Sequence, residues 1–319
     1  GTALVAVGTH ALFQRSVTFH QLALTIVDEQ HRFGVHQRMA LRSKGGEPHQ
    51  LIMTATPIPR TLTMALYADM DVSLLDELPA GRQPVDTRVI SERRRDEIVA
   101  RVAGALEKGH QAYWVCPLIE DSDQLDAAAA EPTAELLQRQ LAPRPVGLLH
   151  GRMASDKKAA VMADFKSGAL GLLVATTVIE VGVDVPNATL MVIENPERMG
   201  LAQLHQLRGR VGRGSAASHC ILLYKGPLSA TARQRLQVMR DSHDGFYIAE
   251  QDLKLRGPGE LLGARQTGEQ QFRIADLSRH VHLIPEVVTR GDELLANEPE
   301  TALALLNAWA PVDGGHISV

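Results

Sequence analysis

Residues 22–31 read Leu-Ala-Leu-Thr-Ile-Val-Asp-Glu-Gln-His. The first six form a short apolar run rich in strand formers, which predicts a buried strand of a parallel sheet. Asp28 and Glu29 follow at its carboxyl end, where ligands collect in open α/β sheets. Two adjacent acids there can divide the work, one holding a divalent cation and the other orienting and deprotonating a water. Taken alone, an Asp-Glu pair reads as an ordinary polar strand end. A second apolar run, residues 50–53, leads into Thr54-Ala55-Thr56-Pro57, a turn with two hydroxyls that Pro57 forces out of the sheet.

Further along, residues 79–84 (Pro-Ala-Gly-Arg-Gln-Pro) carry two prolines and a glycine between periodic segments and mark a linker. From about residue 85 to about 225 helix and strand patterns alternate, as a parallel sheet with helical crossovers requires. Ile98, Val102 and Leu106 recur every four residues, and a strand is expected over 112–119. Residues 122–130 form either a loop or the start of a helix, with a helical segment after Pro132 and then a strand near 146–149. Ser155 is a candidate N-cap for a helix carrying Val161, Met162 and Phe165, and Gly168 stands at its end. Strands are expected over 170–175, 188–193 and 219–224, followed by a charged helix over 230–241. Gly257-Pro258-Gly259 then breaks the helical pattern.

Residues 203–214 read Gln-Leu-His-Gln-Leu-Arg-Gly-Arg-Val-Gly-Arg-Gly. If the stretch is helical throughout, Gln206, Arg210 and Arg213 share one face and Leu204, Leu207 and Val211 the other. Gly209 and Gly212 leave bare backbone, open to close approach by another segment or a phosphate. Fixed cations in such a place suit the charge that develops on a transferring phosphoryl group. The bland alternative is a solvated basic face.

Bulk properties narrow the field. The 319 residues, 45% hydrophobic and 22% charged, are enough for about two domains. A net charge of −4 excludes a DNA binder that relies on overall positive charge, so phosphate contacts must be local. Cys116 and Cys220 lie in apolar strand-like runs and read as reduced, buried packing residues without metal-ligand spacing. The 13 histidines include no His-x-x-x-His pair. No run reaches membrane-spanning length and no signal peptide is visible, though a start at Gly1 rather than methionine suggests a cut.

Asp28-Glu29-Gln30-His31, Thr54-Ala55-Thr56-Pro57 and the glutamine–arginine stretch resemble, in order, motifs II, III and VI of superfamily 2 helicases. Residues 175–184 (Ala-Thr-Thr-Val-Ile-Glu-Val-Gly-Val-Asp) resemble motif V. Residues 245–268, with Asp252-Leu253, Arg256-Gly257-Pro258-Gly259-Glu260 and Gln266-Thr267-Gly268, resemble the translocation motif of the RecG family. This resemblance implies an α/β fold of RecA-like parallel sheets with helical crossovers. A truncated first lobe (1–78) would be followed by a linker (79–88), a complete second lobe (89–225) and a helical hairpin segment (226–319).

The resemblance also implies ATP and Mg²⁺, with Asp28 holding the metal and Glu29 orienting the attacking water. Gln206, Arg210 and Arg213 join them as catalytic residues, the two arginines as fingers worth roughly 10³–10⁵ in rate. His31, Gly182 and Asp184 complete the nucleotide site. Thr9, Thr54, Thr56 and His150 are assigned to DNA or coupling, and Thr176 and Thr177 to DNA phosphate, nucleotide or both. Arg256, Glu260 and Gln266 would couple closure of the nucleotide cleft to movement along duplex DNA.

The implied partner is branched or forked DNA, such as stalled forks and Holliday junctions. The other implications are a monomer in the bacterial cytoplasm, near the nucleoid, with no membrane contact and a contact with a single-stranded-DNA-binding protein. No Gly-x-x-x-x-Gly-Lys-Ser/Thr string occurs in the chain. The family carries that loop upstream of motif II, so the chain is expected to begin after it and, by itself, not to hydrolyse ATP. Alternatives are a transcription-repair coupling translocase, disfavoured by Gln30 and His31 after the acidic pair, and a non-hydrolytic DNA- or partner-binding module.

Overall fold

The structure, a computed structural model, describes residues 3–14, 16–29, 44, 48–54, 71–75, 77, 79, 81–117, 123–176, 184–256 and 280–309. Two compact units divide the chain, one of residues 1–57 and 77–255, the other of 58–76 and 256–319.

The first unit holds two parallel sheets. In the smaller, β1 (Leu24–Val27) pairs with β2 (His49–Ile52), Leu24 opposite His49 and Val27 opposite Ile52. Met53 N donates to Val27 O at 2.8 Å, so the chain leaves both strands at the same level. Thr25 and Val27 are buried, whereas Leu24 and Ile26 are 51% and 58% exposed. Residues 3–9 form no strand. Leu4, Val5 and Val7 are exposed, and a short 3-10 turn, His10–Phe13, follows them. An extended segment becomes a strand only where a partner completes its ladder, and none does so for these residues among those described.

The larger sheet has six strands: β3 (Asp86–Ser91), β4 (Gln111–Val115), β5 (Val146–Leu149), β6 (Leu172–Ala175), β7 (Ala188–Glu194) and β8 (His219–Tyr224). Their order is β3-β8-β7-β4-β6-β5 and every pairing is parallel. Alternate residues of the central strands feed two cores. Ala112 and Trp114, Leu172 and Val174, and Leu190 and Val192 meet α1 (Arg95–Glu107) and α2 (Asp123–Gln140). Tyr113 and Val115, Leu173 and Ala175, and Met191 and Ile193 meet α3 (Ser155–Ser167), α4 (Leu201–Arg208) and α5 (Ala230–Asp241). The four-residue repeat of Ile98, Val102 and Leu106 is buried on α1, whose first turn carries Asp96 and Glu97. Acids there complement the positive end of the helix dipole.

Beyond α5 come α6 (Gly245–Arg256), α7 (Ile284–Asn297) and α8 (Pro299–Trp309). One open alternative is settled and one expectation needs correction. Residues from Asp123 onward belong to α2, which runs through Pro132. The four consecutive alanines at 127–130 have the highest helix propensity and sustain it. Ser155 is the first residue of α3 rather than its cap; Ala154 takes that place with no side-chain bond. At the other end Gly168 adopts φ +85°, the left-handed conformation that stops the helix without strain.

Candidate functional site

Thr176 follows β6 and His150 follows β5, at adjacent carboxyl ends of the six-stranded sheet. Thr176 N donates to Leu149 O at 3.2 Å, which draws the two exits together. The Thr176 side chain is fully buried, and its hydroxyl has no hydrogen-bond partner among the described residues. His150 Nδ1 is likewise buried and unpartnered, while its Nε2 lies 3.8 Å from Glu131 Oε1. Each such group costs about 1–3 kcal/mol unless something supplies the missing bond. Strand ends of an α/β sheet are where a ligand does so.

The glutamine–arginine stretch is helical only to Arg208. Leu204, Leu207 and Val211 are fully buried as expected. After Gly209 the chain tightens, with Arg210 N bonded to Leu207 O (3.0 Å) and Val211 N to Arg208 O (3.3 Å). Gly212 then turns left-handed, with φ +74°. A single stripe of Gln206, Arg210 and Arg213 along one helix is therefore corrected. Gln206 is on α4, whereas Arg210 and Arg213 stand on a loop, because two glycines in four residues remove the propensity to continue. Arg213 folds back, donating from Nε to Gly209 O at 3.2 Å, and its Nη1 lies 3.6 Å from Asp184 Oδ1. Burial pushes the Tyr113 phenol up to about 12; Arg210 and Arg213 pull it down and Asp184 pushes it up. Tyr113, Asp184 and both arginines thus share one electrostatic neighbourhood.

The position of α4 is fixed by two arginines that sequence reasoning passed over. Arg208 is buried and donates from Nη1 to Met239 O (2.9 Å) and Ser242 O (2.8 Å), at the end of α5. Arg235 of α5 returns the arrangement, donating to Met199 O (3.1 Å) and Glu197 O (3.0 Å) just before α4. The two helices are clasped at both ends. Arg208 Nη2 also contacts His205 Nδ1 at 3.0 Å. Arginine only donates, so Nδ1 must accept and the imidazole is neutral. Burial, then the Arg208 charge, lowers the His205 pKa to about 4.

At the smaller sheet, Asp28 is exposed and its Oδ1 accepts from Glu29 N at 2.9 Å. Glu29 has φ +52°, a strained conformation for a residue with a side chain, costing about 1–3 kcal/mol. Thr54 and Thr9 are exposed; Thr9 precedes the 3-10 turn with no side-chain cap bond. Arg256 is the last residue of α6. His31, Thr56, Thr177, Gly182, Glu260 and Gln266 lie outside the described residues. Among those described, no three His, Cys, Asp or Glu side chains cluster as a metal site, and no helix is long and apolar enough to cross a membrane. Cys116 and Cys220 are free and buried, as expected, and burial pushes both thiols up to about 12.

Comparison with known proteins places these features in a family. Residues 95–215 match the helicase conserved C-terminal domain, and residues 242–307 match domain 3, C-terminal, of the ATP-dependent DNA helicase RecG. The ATP-dependent DNA helicase RecG of Escherichia coli K12 is 62% identical over 316 residues, 98% of this chain. The chain belongs to the RecG family. The RecG of Bacillus subtilis is 47% identical over 94% of the chain. A solved structure of RecG bound to a three-way DNA junction superimposes with a TM-score of 0.66 at 44% identity, covering 87% of this chain and 35% of that one. The chain spans 46% of the Escherichia coli RecG and 45% of the Bacillus one. The RecA-like α/β fold expected from the motifs is the fold observed.

Proposed function

We propose that this chain is motor machinery of an ATP-driven helicase that remodels branched DNA, stalled forks and Holliday junctions among them. In this reading residues 1–78 belong to a first RecA-like lobe, 79–88 to a linker, 89–225 to a second lobe and 226–319 to a helical hairpin segment. The observation that carries it is the arginine loop. Arg210 and Arg213 stand beyond a helix clasped at both ends, with Arg213 held between the Gly209 carbonyl and Asp184. Cations fixed in this way lose little on meeting a phosphoryl group, which is how preorganised charge accelerates transfer.

Asp28, exposed at a strand end, fits a Mg²⁺ that keeps several waters and takes the rest of its ligands from phosphates. Bound there, the metal would neutralise charge on the nucleotide's phosphates. Glu29 would orient and deprotonate the water, and Gln206, His31, Gly182 and Asp184 would complete the nucleotide site. The unpartnered Thr176 hydroxyl and His150 nitrogen suit phosphate oxygens of a DNA backbone, a role the reading also gives to Thr9 and Thr177, while Thr54 and Thr56 would relay between the hydrolysis site and the other lobe. Arg256, Glu260 and Gln266 would link cleft closure to movement. The reading also carries a monomeric, cytoplasmic motor that contacts a single-stranded-DNA-binding protein.

The test is ATP hydrolysis by the complete protein carrying this chain, with and without forked DNA. Arg210→Ala and Arg213→Ala abolish stimulated turnover if the reading holds, and the chain by itself shows none. Turnover that survives both substitutions refutes it.

A further inference from the structure

Arg82 lies in the segment expected to join the two lobes, yet its side chain is committed to the second. Its Nε donates to Gly212 O at 3.1 Å and its Nη2 to Gly209 O at 3.4 Å. The Gly209 carbonyl is the one that also accepts from Arg213 Nε, at 3.2 Å. An apolar contact lies alongside. A Cβ on Gly212 would come within 2.8 Å of Val85 Cγ2 and 3.7 Å of Gln83 O. The joining segment therefore runs directly along the arginine loop.

We propose that Arg82 is a positioning residue for that loop, holding the backbone on which Arg210 and Arg213 stand. The inference rests on the reading of those two arginines as the groups that meet the nucleotide. A stretch with glycines at 209 and 212 has many backbone conformations within easy reach, and only some set both guanidiniums at a useful spacing. The Gly209 carbonyl, at the helix end, lacks an intrahelical partner and carries partial negative charge, which a cation both bonds and neutralises; the Gly212 carbonyl, on the turn beyond, takes the second bond. The planar guanidinium makes both bonds at once, each with a charged donor, and so selects one loop shape. A lysine ammonium is a point charge and cannot bridge the two carbonyls in the same way. Because Arg82 sits on the segment between the lobes, the path of that segment and the placement of the fingers form one mechanical element.

The experiment measures steady-state ATP turnover of the complete protein carrying this chain at saturating forked DNA. Arg82→Ala lowers kcat about tenfold while KM for ATP stays within about twofold and Tm is unchanged. Arg82→Lys recovers only part of the loss. Millimolar guanidinium ion restores the alanine variant without accelerating the wild type, a response that general destabilisation would not give. Arg210→Ala and Arg213→Ala serve as references. If those two retain turnover, the finger reading fails and this inference with it. If they abolish turnover while Arg82→Ala keeps the wild-type kcat, positioning by Arg82 alone is overturned. A kcat that falls only in step with Tm, without guanidinium rescue, overturns it as well.

Discussion

The two parallel sheets are built from similar strands and differ in what covers them. In β4, β6 and β7 successive side chains are buried to either side, against α1 and α2 on one face and α3 to α5 on the other. In β1 only Thr25 and Val27 are buried, while Leu24 and Ile26 are more than half exposed. Parallel strands are stable when both faces are covered, so the six-stranded sheet holds its crest rigidly. The smaller sheet carries its acids on a ladder with one open apolar side. The chemistry proposed here draws one half from each: acids from the end of β1, arginines from the loop beyond α4.

The largest effects test whether that division is even. Arg210→Ala or Arg213→Ala is expected to lower kcat in the complete protein by roughly 10³–10⁵. Asp28→Asn and Glu29→Gln should do the same if the smaller sheet is catalytic. Single-turnover ATP hydrolysis measures all four. Full activity in the two acid variants, beside dead arginine variants, would break the comparison by confining the chemistry to the larger sheet.

Stability separates the sheets more directly. Trp114 is fully buried on β4, with Nε1 donating to Glu194 Oε1 at 2.7 Å and the Arg95 guanidinium 5.0 Å from its ring centroid. Trp114→Ala is expected to cost about 3–5 kcal/mol in urea unfolding. Leu24→Ala, at a half-exposed position, should cost less than about 1 kcal/mol. Equal losses would mean that the exposed face of β1 is covered in solution after all.

What could be read in the sequence follows from the same distinction. β8 and α5 appear where strand and helix patterns place them, His219–Tyr224 and Ala230–Asp241. Both are regular segments whose periodicity records a buried face. Arg210 and Arg213 are candidates by residue type alone, and the geometry of their loop is not in the sequence pattern, because a left-handed Gly212 and the Gly209 carbonyl decide it. Arg208, Arg235 and Arg82 carried no signal. Each earns its place by bonding main-chain carbonyls at least 31 residues away in sequence, and a carbonyl has no residue type. Thr176 stands in the stretch that resembles motif V and His150 follows a strand expected from sequence, whereas the burial of their unpartnered atoms belongs to tertiary packing.

A pH titration sharpens the account of the clasp between α4 and α5. His205 titrates near 4 in the fold, against 6.5 for an unperturbed histidine, because burial and Arg208 disfavour its charged form, with Asp244 acting in the opposite direction. Below pH 6.5 the unfolded chain takes up a proton that the folded one refuses. The stabilisation is therefore complete above 6.5 and lost as pH falls toward about 4. Its slope is at most about 1.4 kcal/mol per pH unit. Neighbouring His243 is also shifted downward by burial and Arg208, so it loses stability in the same direction. His205→Gln keeps an acceptor for Arg208 and should flatten this part of the profile. An unchanged profile would mean that His205 is exposed to water.

The smallest effect compares two helices that cover the same face of the larger sheet. Ser229 caps α5, its hydroxyl accepting from Ala232 N at 3.1 Å, so Ser229→Ala should cost about 1 kcal/mol. Ser155 looked equivalent in sequence, but it lies inside α3 with Ala154 at the cap position and no side-chain bond. Ser155→Ala should therefore stay within about 0.5 kcal/mol of the parent. Chemical denaturation of the two variants side by side resolves the difference. A loss at Ser155 as large as at Ser229 would mean that α3 begins one residue later and that the sequence reading of its cap was right.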